Sequence, residues 1–172
     1  MDNINLSSSL LLINTSLFIY IAYMIINQLT KKVIVKYIYD PFSEQIVEYA
    51  KEGDACIDIK ATSIISETDT QITYGTSMFV EIPLGYEMEI RPRSSICKYS
   101  LSLANSPATI DSGYRGEIKL VFNKLSPNGI YYKVSDKIAQ FKINSVIPII
   151  MIPVTKLTPS ERGEGGFGHT GN

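Results

Sequence analysis

Five glycines fall within residues 163–171, and Arg162, Phe167 and Thr170 stand among or beside them. Free backbone N–H groups in such a run can converge on an anion, as in a phosphate-binding nest. Arg162 adds a planar donor fork suited to phosphate oxygens, and Thr170 adds a hydroxyl. Phe167 has no core to enter, and its face could cover a planar base by stacking. A second anion site is offered by Arg91-Pro92-Arg93-Ser94-Ser95, with guanidinium, hydroxyls and adjacent amides. Asp111 and Tyr114 lie in a third constellation, Asp111-Ser112-Gly113-Tyr114-Arg115-Gly116. A carboxylate there could orient and deprotonate a water, and the tyrosine could pack flat against a sugar. Asp58, flanked by Ile57 and Ile59, points away from its apolar neighbours if the segment is a strand. It could hold the water shell of Mg²⁺, an ion that prefers a carboxylate or two together with substrate phosphates. Gln140 closes Ser135-Asp136-Lys137-Ile138-Ala139-Gln140 and could donate its amide to a phosphate. Each of these runs taken alone also reads as an ordinary turn, a surface strand or a solvated terminus.

The elements that must carry these groups are short strands. Val33–Tyr39, Ala55–Ala61, Gln71–Tyr74, Met78–Ile82, Tyr86–Arg91, Glu117–Asn123, Lys137–Ile143 and Ile147–Pro153 have strand patterns, separated by Gly and Pro turns. Thr109–Ile110 and Glu117–Asn123 flank the Asp111 loop, which reads as a hairpin. A helical turn is expected only near Glu44–Lys51. The chain of 172 residues suits one all-β domain spanning residues 33–157, with residues 158–172 as a mobile Gly-rich lid.

Residues 1–32 form a different segment. Leu10 to Leu29 carries no charge, and Lys31 and Lys32 follow it. Such a run could cross a bilayer as a helix at residues 10–29, with the lysine pair keeping the following domain cytoplasmic. A helix packed on the domain, or residues upstream of a start at Met24, are the other readings.

Composition excludes several classes. With 16 Lys+Arg against 17 Asp+Glu there is no broad basic field for nucleic acid. The single histidine, His169, rules out a His-rich metal centre and makes a Ser-His-Asp triad untenable. Cys56 and Cys97 are isolated, which points to a reducing compartment without disulfides.

Taken in order, the runs resemble the five motifs of the trimeric dUTPase family. Ala55-Cys56-Ile57-Asp58-Ile59-Lys60-Ala61 is similar to motif one and Pro92-Arg93-Ser94-Ser95 to motif two. Leu103-Ala104-Asn105-Ser106-Pro107-Ala108-Thr109-Ile110-Asp111-Ser112-Gly113-Tyr114-Arg115-Gly116-Glu117 is similar to motif three. Ser135–Gln140 is similar to motif four and Arg162–Gly171 to the Gly-rich motif five. The resemblance implies a distorted jelly roll and a homotrimer whose active sites each draw on three subunits. It implies hydrolysis of dUTP to dUMP and diphosphate with Mg²⁺. Asp111 would activate the water, and Asp58 would contact Mg²⁺ through water. Arg93, Ser94, Ser95, Gln140 and Arg162 would hold phosphates, Tyr114 would reject a ribose, and Phe167 would cap the uracil. Further substrate contacts would come from Asn105, Ile110, Lys119, Gly168 and Thr170. Cys56, Ala108, Ser135 and Lys137 depart from the usual residues, and none removes a catalytic group. A dCTP deaminase shares the fold but carries a catalytic Glu where this chain has Val121. A dUTP-sensing regulator without turnover is the remaining alternative.

Overall fold

The structure is a computed structural model, and it describes residues 17–22, 32–39 and 47–166. Among the described residues the fold is built from ten strands in chain order. They are β1 (Lys36–Tyr39), β2 (Ile57–Lys60), β3 (Ser63–Glu67), β4 (Gln71–Gly75) and β5 (Met78–Glu81), then β6 (Tyr86–Arg91), β7 (Leu101–Leu103), β8 (Ala108–Ile110), β9 (Lys119–Lys124) and β10 (Lys137–Ser145). A short 3-10 helix covers Ser94–Lys98. One four-stranded sheet runs in the order β2-β10-β6-β8 and a second in the order β3-β4-β9-β7, while β1 and β5 form a two-stranded ribbon. All the pairings are antiparallel, as a jelly roll requires.

Period-two patterning explains the core. Ile72 and Tyr74 of β4, Leu120 and Phe122 of β9, and Leu101 and Leu103 of β7 are buried from one sheet. Ile59 of β2, Met88 and Ile90 of β6, and Ala139 and Phe141 of β10 are buried from the other. These side chains form one cluster, which removes their apolar surface from water at roughly 25 cal/mol per Å². Tyr74, Phe122 and Tyr132 meet edge to face in its centre. The Tyr74 hydroxyl donates to the Tyr132 carbonyl at 2.7 Å, so its polar end is satisfied.

Three expectations are corrected. Residues 111–118 do not close a hairpin, because β8 pairs with β6 while β9 pairs with β4 and β7. The loop therefore crosses from the edge of one sheet to the interior of the other. Ile147–Pro153 is not a strand, since β10 ends at Ser145 and, among the described residues, no neighbouring strand accepts the segment. In the part of Glu44–Lys51 that is described, residues 47–51 are extended or bent and form no helical turn. No helix among the described residues is long and apolar enough to cross a membrane. Of the run at residues 10–29, residues 17–22 are described and are helical, and the rest lies outside the described residues. An anchor there finds no support.

Candidate active site

Strand register assembles the first group. Gln140 of β10 lies opposite Asp58 of β2 on one side and Arg91 of β6 on the other. Opposite residues of an antiparallel pair share a face, so the three stand in a row on the outer face. Their neighbours Ile59, Ala139 and Ile90 turn into the core.

Just beyond Arg91 the chain leaves the sheet at Pro92, and Arg93 precedes the 3-10 helix. The Arg93 Nε donates to Asp58 Oδ1 at 2.7 Å, and Nη2 lies 3.4 Å from Oδ2. Lys137 Nζ reaches the same carboxylate, 2.8 Å from Oδ2. Arg93 Nη1 also approaches Ser95 Oγ at 3.4 Å. The Gln140 amide donates to the Pro92 carbonyl at 3.0 Å, which ties the start of the Arg93 turn to the sheet. Ser94 and Ser95 open the helix, where the first amides have no partner inside the turn. A cavity of about 460 Å³ lies over Arg91, Arg93, Ser94, Pro107 and Gln140. A second, of about 230 Å³, is lined by Glu48, Asp58, Lys60 and Lys137.

The second group is the crossing loop. Ile110 pairs with Met88, so Asp111 emerges level with the start of β6, while Arg91 stands at its end. Four residues of strand separate the two levels, about 14 Å at the usual rise. Asp111 is exposed, and Tyr114 N donates to its carbonyl at 3.0 Å. The Tyr114 hydroxyl donates to the Glu117 carbonyl at 2.9 Å, and a side chain on Gly116 would run into the phenol. Asn105 is exposed between β7 and β8, just before the cis Ser106-Pro107 bond. Lys119 is exposed at the start of β9, opposite Gly75.

The third group stands apart. Arg162 is exposed in a segment without regular structure, and its Nε donates to the Gly165 carbonyl at 2.9 Å. Phe167, Gly168 and Thr170 lie outside the described residues. The structure thus joins Asp58, Arg93, Ser95 and Gln140 in one patch and places Asp111 with Tyr114 at a distance within the same chain.

Two contributors escaped the reading of the sequence. Lys137 was noted only as a replacement, and its contact with Asp58 follows from the β10–β2 pairing. Glu117 was seen only as the end of a motif, yet its Oε1 accepts from the amides of Thr76 and Ser77 at 3.1 and 2.9 Å. The sequence signal for Lys137 was its place three residues before Gln140, on a strand already expected. Glu117 carried no such signal, since its partners are some 40 residues away.

Among the described residues no group of three or more His, Cys, Asp or Glu side chains could enclose a metal. Asp58 with its partly exposed carboxylate fits a water-mediated contact to a metal ion.

The profile of the dUTPase family matches residues 43–171. A deoxyuridine 5'-triphosphate nucleotidohydrolase of Fusobacterium nucleatum is 39% identical over 145 residues, covering 82% of this chain and 99% of that one. One of the same name from Clostridium kluyveri is 38% identical over 125 residues, covering 72% and 87%. A Staphylococcus bacteriophage 80alpha dUTPase with dUpNHpp superposes with a TM-score of 0.69 at 22% identity, covering 81% of this chain and 99% of that one. A dUTPase from phage phi11 of S. aureus, described as coordinating a structural Mg(II) ion, superposes with a TM-score of 0.61 at 19% identity, covering 73% and 99%. The last two establish the shared fold, while the extent of the profile match and the identity to the bacterial relatives establish kinship: the chain belongs to the dUTPase family.

Proposed function

We propose that this chain hydrolyses dUTP to dUMP and diphosphate as a homotrimer with shared active sites. The observation that carries the reading is the convergence of Asp58, Arg93 and Gln140 through strand register, beside the Ser94–Ser95 turn. Arg93, Ser94, Ser95 and Gln140 present donors to triphosphate oxygens in one patch. Charge that builds on those oxygens during attack is stabilised by donors already in place.

Asp111 orients a water and takes its proton as the water oxygen attacks the α-phosphorus. The bond from that phosphorus to the bridging oxygen breaks, and diphosphate leaves. Tyr114 packs on the deoxyribose, and the main chain of its loop, with Ile110 and Lys119 beside it, faces the nucleoside. Arg162, Phe167, Gly168 and Thr170 close over the bound nucleotide and exclude bulk water. Asp58 is the residue that would hold Mg²⁺ through water, and the ion would supply neutralisation of the triphosphate charge.

Two observations support assembly of the site from several chains. Asp111 sits about 14 Å along β6 from the Arg91 level, so the two groups stand on separate parts of one chain's surface. In addition, residues 146–154 expose a continuous apolar run, with Ile150 and Met151 at 89% and 83% exposure. Apolar surface of that extent calls for a covering partner, and a second copy of the chain supplies one.

The test is diphosphate release from dUTP, dCTP, dTTP and UTP, with and without Mg²⁺, on the full chain. Turnover of dUTP alone, dependent on Mg²⁺, is expected. Turnover of dCTP with ammonia release, or none of dUTP, refutes the reading.

A further inference from the structure

We propose that Glu117 is a positioning residue that fixes the Tyr114 ring and thereby sets the preference for a deoxyribose over a ribose. This rests on the placing of Tyr114 against the sugar in the reading above.

A loop that crosses between two sheets has no ladder of its own to hold it. Its entry is held by the pairing of β8 with β6. Its exit is held by an unusual corner. Ile118 N donates to the Met78 carbonyl at 2.9 Å, and the fully buried Thr76 donates its hydroxyl to the Ile118 carbonyl at 2.6 Å. Between these two bonds and Tyr114 stands Glu117.

Glu117 makes two attachments of different kinds. Its carboxylate accepts from the consecutive amides of Thr76 and Ser77. Ser77 adopts a left-handed backbone with φ of 51°, and consecutive amides around such a residue form a concave anion site. Hydrogen bonds to an ionised acceptor are about twice as strong as neutral ones. Gly75 keeps the corner open, since a Cβ there would stand 2.9 Å from the Glu117 carboxylate. The second attachment is the Glu117 carbonyl, which receives the Tyr114 hydroxyl. One residue therefore joins the phenol to the buried β4–β5 corner.

Rejection of a ribose by packing depends on a wall that does not yield. Tyr114 is 43% exposed, so one side of the residue faces solvent rather than protein. Its hydroxyl bond to Glu117, and the anchoring of Glu117 in turn, make it rigid. Freed of that anchoring, the ring can retreat from a 2′-hydroxyl.

The experiment compares kcat/KM for dUTP and UTP in the wild-type chain and in Glu117→Ala, Glu117→Gln and Tyr114→Phe, with melting temperature recorded for each. Glu117→Ala should lower the dUTP-to-UTP ratio at least tenfold, with KM for dUTP rising more than kcat falls. Glu117→Gln keeps an oxygen that accepts both amides and should restore most of the ratio. Tyr114→Phe loses the bond to the carbonyl, should shift the ratio the same way, and should add little in the Glu117→Ala background. A fall in kcat/KM equal for both nucleotides, with the ratio unchanged, would show a purely structural role and overturn the proposal. So would a Gln variant that behaves like Ala. Should Glu117→Ala not fold, the Gln and Phe variants decide the matter alone. A wild-type chain without dUTP turnover would instead refute the function itself, so the two failures are separable.

Discussion

Asp58 and Gln140 are direct cross-strand neighbours, although 82 positions separate them in the chain. Their pairing makes the first and fourth motifs one surface, and Arg93, two residues past the end of β6, closes it. Asp58 there is shared between Arg93 and Lys137, both still open to solvent. Replacement by Asn should leave these cations hydrated rather than buried without a partner, so the fold should survive. The loss should fall on the ion that travels with the triphosphate. Asp58→Asn is expected to raise the Mg²⁺ concentration for half-maximal rate at least tenfold, with a melting temperature within a few degrees of wild type. An unchanged Mg²⁺ requirement would remove Asp58 from that role.

Asp111 makes a different prediction because it is exposed, and its carboxylate accepts no hydrogen bond from another described residue. No structural partner is lost on replacing it. Asp111→Asn should cut turnover by orders of magnitude while a non-hydrolysable dUTP analogue still binds. A decrease of less than tenfold, about 1.4 kcal/mol in the barrier, would mean that another group activates the water.

The legible part of the fold was the part with its own periodicity. β5 reads Met-Phe-Val-Glu and buries alternate residues as written. β3 was missed because all five of its residues are exposed, so no alternation marks it. β7 is only three residues long. The turn residues Asp111-Ser112-Gly113 suggested a local hairpin, but turn chemistry says nothing of which strands the flanks join. Ile147–Pro153 is apolar and largely β-branched, and no described strand pairs with it. For the site, residue types were readable and partnerships were not. The bonds of Glu117 to Thr76 and Ser77, and of Lys137 to Asp58, depend on register across distant strands.

Ser135 shows what a departure from a usual glycine does. The resemblance to motif four places a glycine at this position, and here Ser135 has φ of 76°. A left-handed backbone costs a side chain roughly 1–2 kcal/mol. The conformation is held from both sides, since Ser135 N donates to the Ala61 carbonyl and Lys133 N donates to the Asp136 carboxylate. Ser135→Gly relieves the strain but loosens the unfolded chain, which offsets part of the gain. A net stabilisation of about 0.5–1 kcal/mol is expected in chemical denaturation, with activity unchanged. A destabilised variant would show that the serine makes a compensating contact.

Alkaline pH should weaken the fold through two buried phenols. Burial pushes the Tyr132 hydroxyl up to about 12 from its ordinary 10.0, and it raises Tyr74 further. Between those values the unfolded chain has lost protons that the folded chain keeps, so stability falls as pH rises. Stability from this source is complete below pH 10 and declines toward pH 12 and above. Melting temperature measured from pH 8 to 12 should drop above 10. Tyr132→Phe should make that drop shallower, and an identical profile would assign it to other groups.

Two parts of the C-terminal region should separate by mutation. Residues 158–166 are exposed nearly throughout, and Arg162 bonds only within the segment among the described residues. The described part of this segment contributes no buried side chain to the core, and deleting residues 160–172 should abolish most turnover while the assembly and its melting temperature persist. Residues 146–157 carry the apolar surface that a second copy would cover, including Ile150 and Ile152. A carboxylate placed there would have to be desolvated on association, at a cost of several kcal/mol. Ile150→Asp with Ile152→Asp should thus give monomers in light scattering and lose activity together with assembly, because the Asp111 and Arg93 groups would no longer meet. A monomeric but fully active double variant would place the whole site within one chain.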